Sequence, residues 1–148
     1  MLFPTHIIMT IPLVVLLDAS AVGVVLGCGL PDMIDKQLPR FGLTDKYHSV
    51  SHSLFTLIIL CLTSTIYPII YGAAVSWAIH VFMDLIQVMI NKRYNHALFV
   101  LWPIYFDPDP LQKPPVEFML YYIGSKSSYF EVMIWIGSIA IGYVYVYV

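Results

Sequence analysis

Apolar residues in this chain collect into long blocks separated by short polar stretches. A helix that crosses a bilayer needs about 20 largely apolar residues. Residues 53–70, 72–90 and 129–148 meet that length. Tyr67, Pro68, Tyr71 and Gly72 mark a tight turn between the first two blocks, which predicts an antiparallel helical hairpin. The last block ends in Tyr143, Tyr145 and Tyr147, whose amphipathic rings suit a membrane interface.

The block over residues 7–30 is long enough to span once, but Asp18 falls near its middle. A mid-bilayer carboxylate costs at least about 2.5 kcal/mol. Two short helices, over residues 4–17 and 20–30, place Asp18 in a turn where it can cap the second helix. This re-entrant hairpin is the preferred reading, and a first full span is the alternative. Ala19-Ser20-Ala21 imitates a signal-peptide cleavage site, but no Lys or Arg precedes Lys36, so the segment is kept as structure. The fold expected is all-α: one polytopic membrane bundle over residues 1–148, with the N-terminal hairpin followed by three transmembrane helices.

Composition agrees with that pattern. Hydrophobic residues make up 59% of the chain and charged residues 11%. Soluble domains average roughly 45–50% and about 25%, so a secreted enzyme and a cytosolic domain are excluded. Lys36, Arg40 and Lys46 precede the second block, and Lys92, Arg93, Lys113 and Lys126 follow the third. All seven fall on one side, which the positive-inside rule makes cytoplasmic. Residues 91–128 are then a polar cytoplasmic loop, and the C-terminus lies outside. Within that loop residues 97–106 are apolar but too short to span, which predicts an interfacial or re-entrant piece. A net charge of -2 and the lack of a basic run give no reason to expect nucleic acid as a partner. Membrane lipid is the partner expected. Cys28 and Cys61 sit in apolar stretches and read as small buried hydrophobes. No small-xxx-small stripe is strong enough to predict an interface, so the oligomeric state stays open.

Against this background His80 and Asp84 stand out, at i, i+4 inside the third block. Intramembrane ionisable groups are functional candidates, although a hydrogen-bonded pair gluing helices together is the simpler alternative. His48 and His52 repeat the spacing at the entrance of the second block, and Asp32 and Asp35 stand where the first block ends. Antiparallel neighbours bring the start of one helix to the end of the next, so these side chains can converge at one depth. Imidazole nitrogens and carboxylate oxygens so clustered suit zinc or a similar divalent ion. The hairpin returns His6 to the same end, whereas a single span would carry it about 36 Å away.

The ordered set Thr5-His6, Leu30-Pro31-Asp32 with Asp35, Ser51-His52-Ser53, His80-Val81-Phe82-Met83-Asp84 and Leu101-Trp102-Pro103 resembles the YdjM-like family of membrane-bound metal-dependent hydrolases. The resemblance covers about residues 5–103. It implies a cytoplasm-facing metal site built from His6, Asp32, His52, His80 and Asp84. The family is distantly similar to the zinc-dependent phospholipase C and single-strand nuclease group, which implies phosphoester hydrolysis with a phospholipid as a possible substrate. Asp32 would then be a bridging ligand or base. His48 is a further candidate ligand. Where the family shows His-Arg-Gly-x-Thr-His-Ser, this chain has Tyr47 at the first histidine, His48 one residue closer to His52, and no arginine.

The remaining polar residues read more plainly. His96 is expected in a solvated loop, Asp107 and Asp109 in a turn, and Ser51 as a helix cap. Two other function classes stay open. One is a structural or adaptor protein with a closed metal site. The other is an ion-coupled carrier, which the missing repeat disfavours.

Overall fold

A computed structural model of the chain describes residues 3–42, 48–105 and 115–147. Among the described residues seven α-helices carry the fold: α1 (Phe3–Ile8), α2 (Thr10–Leu17), α3 (Ala21–Gln37), α4 (Leu54–Ile66), α5 (Tyr71–Ile90), α6 (Pro115–Tyr122) and α7 (Lys126–Tyr147). No strand occurs among the described residues. Among the described residues two helices are long and apolar enough to cross a membrane: α5 with the turn before it, Pro68–Ile90, and α7.

The N-terminal block does fold back on itself. Asp18 ends α2 in a left-handed conformation at φ 47°. The chain reverses, and Ser20, not Asp18, caps α3 by accepting from the Gly23 N–H. The second arm does not stop at residue 30. It continues through Pro31 to Gln37, so Asp32 and Asp35 belong to a helix.

Small residues decide how α3 meets α5. A Cβ built on Gly27 would stand 2.1 Å from Ser76 Oγ and 2.2 Å from the Ala73 carbonyl oxygen. Gly23 and Gly72 lie at the same crossing, near Ala73 N and Val24 respectively. The stripe Gly23-x-x-x-Gly27 therefore exists, and it joins two helices of one chain, as small-residue stripes do in membrane bundles.

Three further expectations are corrected. The block over residues 53–70 is not one helix, because α4 stops at Ile66 and residues Pro68–Ile70 form a 3₁₀ turn. At 13 residues α4 is only about 20 Å long. Residues 91–128 are not simply a loop, since they contain a 3₁₀ helix over Tyr94–Leu101 and all of α6. Cys28 is buried as expected, but Cys61 is exposed.

Trp77, Val81 and Phe99 form the buried core beside the site, with Leu57, Leu60, Leu85 and Val88 packed around them. Outward apolar side chains are many, including Ile58, Ile59 and Leu62 on α4 and Ile136 and Ile139 on α7.

Candidate metal centre

The centre draws on four stretches of chain. Asp32 comes from α3, His52 from the 3₁₀ turn Val50–His52, His80 and Asp84 from one face of α5, and His6 from α1. Asp32, His52, His80 and Asp84 are all buried and each offers a donor atom, with these atoms within 4.8 Å of one another.

His52 Nε2 is 3.2 Å from His80 Nε2, and each is 3.4 Å from Asp84 Oδ2. His6 Nε2 is 3.5 Å from the other oxygen, Oδ1. Ligands about 2.0–2.1 Å from one tetrahedral ion stand roughly 3.3–3.4 Å apart, so these separations suit a single metal ion. His6 adds a second sign. Its ring is fully buried and stacked on His80 with centroids 3.8 Å apart, yet neither ring nitrogen has a hydrogen-bond partner. Leaving such a group unsatisfied costs about 1–3 kcal/mol, which a bound cation would offset.

The outer contacts orient the rings. His80 Nδ1 donates to the Cys28 carbonyl at 2.7 Å, which leaves its Nε2 lone pair facing the centre. His52 Nδ1 donates to Asp35 Oδ2 at 2.7 Å. Asp35 also accepts from Ser49 N at 2.7 Å, Ser49 Oγ at 2.9 Å and Ser51 N at 3.2 Å, so one carboxylate folds the whole turn. Ser51 Oγ donates to the Pro31 carbonyl, and the Trp77 indole N–H to the Ser51 carbonyl, both at 2.7 Å. Ser51 is thus a turn residue, and Ser53 is the cap of α4. His48 and His52 do not share a helical face, since the segment between them is a bend and a 3₁₀ turn.

Burial opposes charge on these groups, but their partners outweigh it. Bonds to Asp35 and Asp84 raise His52 from 6.5 to about 9. Bonds from His52, Ser49 and Ser51 lower Asp35 from 3.8 to about 2. The Lys36 ammonium, 2.7 Å from Asp32 Oδ2, outweighs burial at Asp32 and holds that carboxyl below its usual range. Asp32 Oδ1 lies 4.0 Å from His52 Nε2, so Asp32 borders the centre with one oxygen and holds Lys36 with the other.

His48 sits at the rim, with its side chain 37% exposed, and its Nε2 is 3.9 Å from Asp84 Oδ2. Its ring meets His52 edge-on at 4.7 Å. His96 lies on the 3₁₀ helix Tyr94–Leu101, half-buried. Asp107, Asp109 and Tyr47 fall outside the described residues. A groove of about 370 Å³ between α4 and α5, lined by Cys61, Tyr71, Ala74, Ala78 and Phe82, includes none of the donors.

The sequence signals the part Asp35 plays only through its i, i+3 spacing to Asp32. Glu131 is a carboxyl group in an apolar block, a sequence signal of the same kind as Asp84. Comparison with known proteins finds no matching family model, no matching curated protein and no matching solved structure.

Proposed function

We propose that this chain is a membrane-embedded metal-dependent hydrolase acting on a phosphoester, with a phospholipid headgroup at the cytoplasmic face as the substrate class. The observation that carries the proposal is the buried Asp32, His52, His80 and Asp84 group, with the unsatisfied His6 ring beside it. Mixed imidazole and carboxylate donors favour zinc. The bound metal would supply a hydroxide at neutral pH and offset charge on the phosphate oxygens. Asp32 would serve as a further ligand or base. Lys36, half-exposed and held at the edge of the centre by Asp32, is the cation that would face an anionic substrate in place of the family's arginine. The ordered motifs shared with the YdjM-like family support the same chemistry. In the membrane, α5 and α7 would span, the α2–α3 hairpin would re-enter from the cytoplasmic side, and α4 would complete the bundle.

A second reading is a structural staple, in which the metal only ties α1, α3 and α5 together. The near-complete burial of His6, His52, His80 and Asp84 favours it.

Elemental analysis of detergent-purified protein tests both. Zinc, manganese or iron bound in wild type and lost in His80→Ala supports a metal centre, and turnover of phospholipid or bis(4-nitrophenyl) phosphate separates hydrolase from staple. Absence of bound metal would sink both.

A further inference from the structure

We infer that Glu131 is a positioning residue for His6, so that α7 completes the centre although it supplies no donor to it. The inference rests on the metal reading of that centre.

Glu131 lies in the first third of α7 and is 2% exposed, on a helix whose apolar stretch is only 11% buried. Its two oxygens take hydrogen bonds from different elements: Oε2 from the Thr5 hydroxyl on α1, and Oε1 from the Tyr122 hydroxyl on α6. Both donors are themselves held. The Trp135 indole N–H donates to Thr5 Oγ1 at 2.9 Å, and Gln87 Nε2 on α5 donates to Tyr122 OH at 3.1 Å. A buried carboxyl group takes its partners from whichever segments packing brings to it, and here it ties α1 and α6 to α7.

Thr5 is the residue before His6, and neighbours on a helix point about 100° apart. Thr5 therefore meets α7 while His6 meets Asp84 and His80 on α5. The six residues of α1 are too few to hold a helix by their own hydrogen bonds, so its position depends on such anchors. No hydrogen bond fixes the His6 ring. What sets its place is the stack on His80, the 3.5 Å approach to Asp84 and the backbone pinned through Thr5 to Glu131.

The test uses the full-length protein in detergent, with Co²⁺ as the probe because its visible absorption reports the ligand set. Glu131→Gln and Thr5→Val are expected to weaken Co²⁺ binding about tenfold or more and to shift the Co²⁺ bands in the direction that His6→Ala does. Helix content and elution volume should stay as in wild type. Thr5→Ser, which keeps the hydroxyl, should restore both affinity and spectrum. Glu131→Gln added to His6→Ala should cost nothing more than His6→Ala alone. Wild-type affinity and spectrum in Glu131→Gln and Thr5→Val, or a full additional loss in the double variant, would overturn the inference and leave the metal centre standing. Failure of wild type to bind Co²⁺ would overturn the metal reading itself. If Glu131→Gln does not fold, the Thr5→Val and Thr5→Ser pair decides the question, because it removes and returns one hydroxyl.

Discussion

Asp35 and His52, 17 positions apart in the chain, meet through a 2.7 Å hydrogen bond between two fully buried side chains. The carboxylate holds the ring with Nδ1 outward and Nε2 toward His80 and Asp84. Asp35→Asn keeps the shape but loses the charge and the strongest acceptor. Partners of this kind typically contribute 10–100-fold in metal affinity. A loss in that range is expected, with the metal content of His52→Ala as the lower limit, measured by competition with a chromophoric chelator.

The same pair gives the metal-free protein a pH signature. His52 is raised from 6.5 to about 9, so its contribution to stability is full below pH 6.5 and is lost as pH rises through about 9. Asp35 is lowered from 3.8 to about 2, so its contribution is present above pH 3.8 and is lost as pH falls through about 2. The metal-free melting temperature should therefore be highest between about pH 4 and 6.5 and fall toward pH 9.5. A metal ion displaces the His52 proton, so binding should release a proton and weaken about tenfold for each pH unit below 9. Calorimetry in buffers of different ionisation enthalpy counts that proton.

The rim and the centre should separate under mutation. His80→Ala and Asp84→Asn remove groups at the crowded middle of the site, and metal stoichiometry should collapse in both. His48→Ala removes a partly exposed ring 3.9 Å from Asp84, and stoichiometric metal should be retained. Elemental analysis of the three variants side by side checks this, and equal loss in all three would place His48 among the ligands.

Gly27 should prove the least tolerant of the glycines. Gly27→Ala sets a methyl against the Ala73 carbonyl and forces α3 away from α5, at a cost of at least about 2 kcal/mol. Because Cys28 holds His80 across that crossing, metal binding should weaken too. Gly137→Ala, where a Cβ meets nothing within 4 Å, should leave both unchanged. Thermal unfolding in detergent with and without metal compares them.

Several features of this protein are local and so could be read from residue order. Apolar block length set the helical class and marked α5 and α7. The i, i+4 spacing of His80 and Asp84 put them on one helix face because 3.6 residues make a turn. The cost of a carboxylate at mid-bilayer predicted the reversal at Asp18, which is what returns His6 to the centre. Other features depend on contacts between distant segments. The turn over residues 48–53 has no helical periodicity, and it takes its shape from four hydrogen bonds to Asp35 on α3 and from those Ser51 makes with Pro31 and Trp77. The apolar block ends at residue 30, yet packing against α5 carries α3 on to Gln37. Gly23 and Gly27 gain meaning only from the small residues of α5 that face them. Glu131 looks like one more polar residue in an apolar block until α1, α6 and α7 bring Thr5 and Tyr122 to its two oxygens. Sequence determined which side chains were available and which helices could form, because both follow from neighbours along the chain. Tertiary structure decided which of them meet, because a buried polar group takes its partner from whichever segment packing puts within reach.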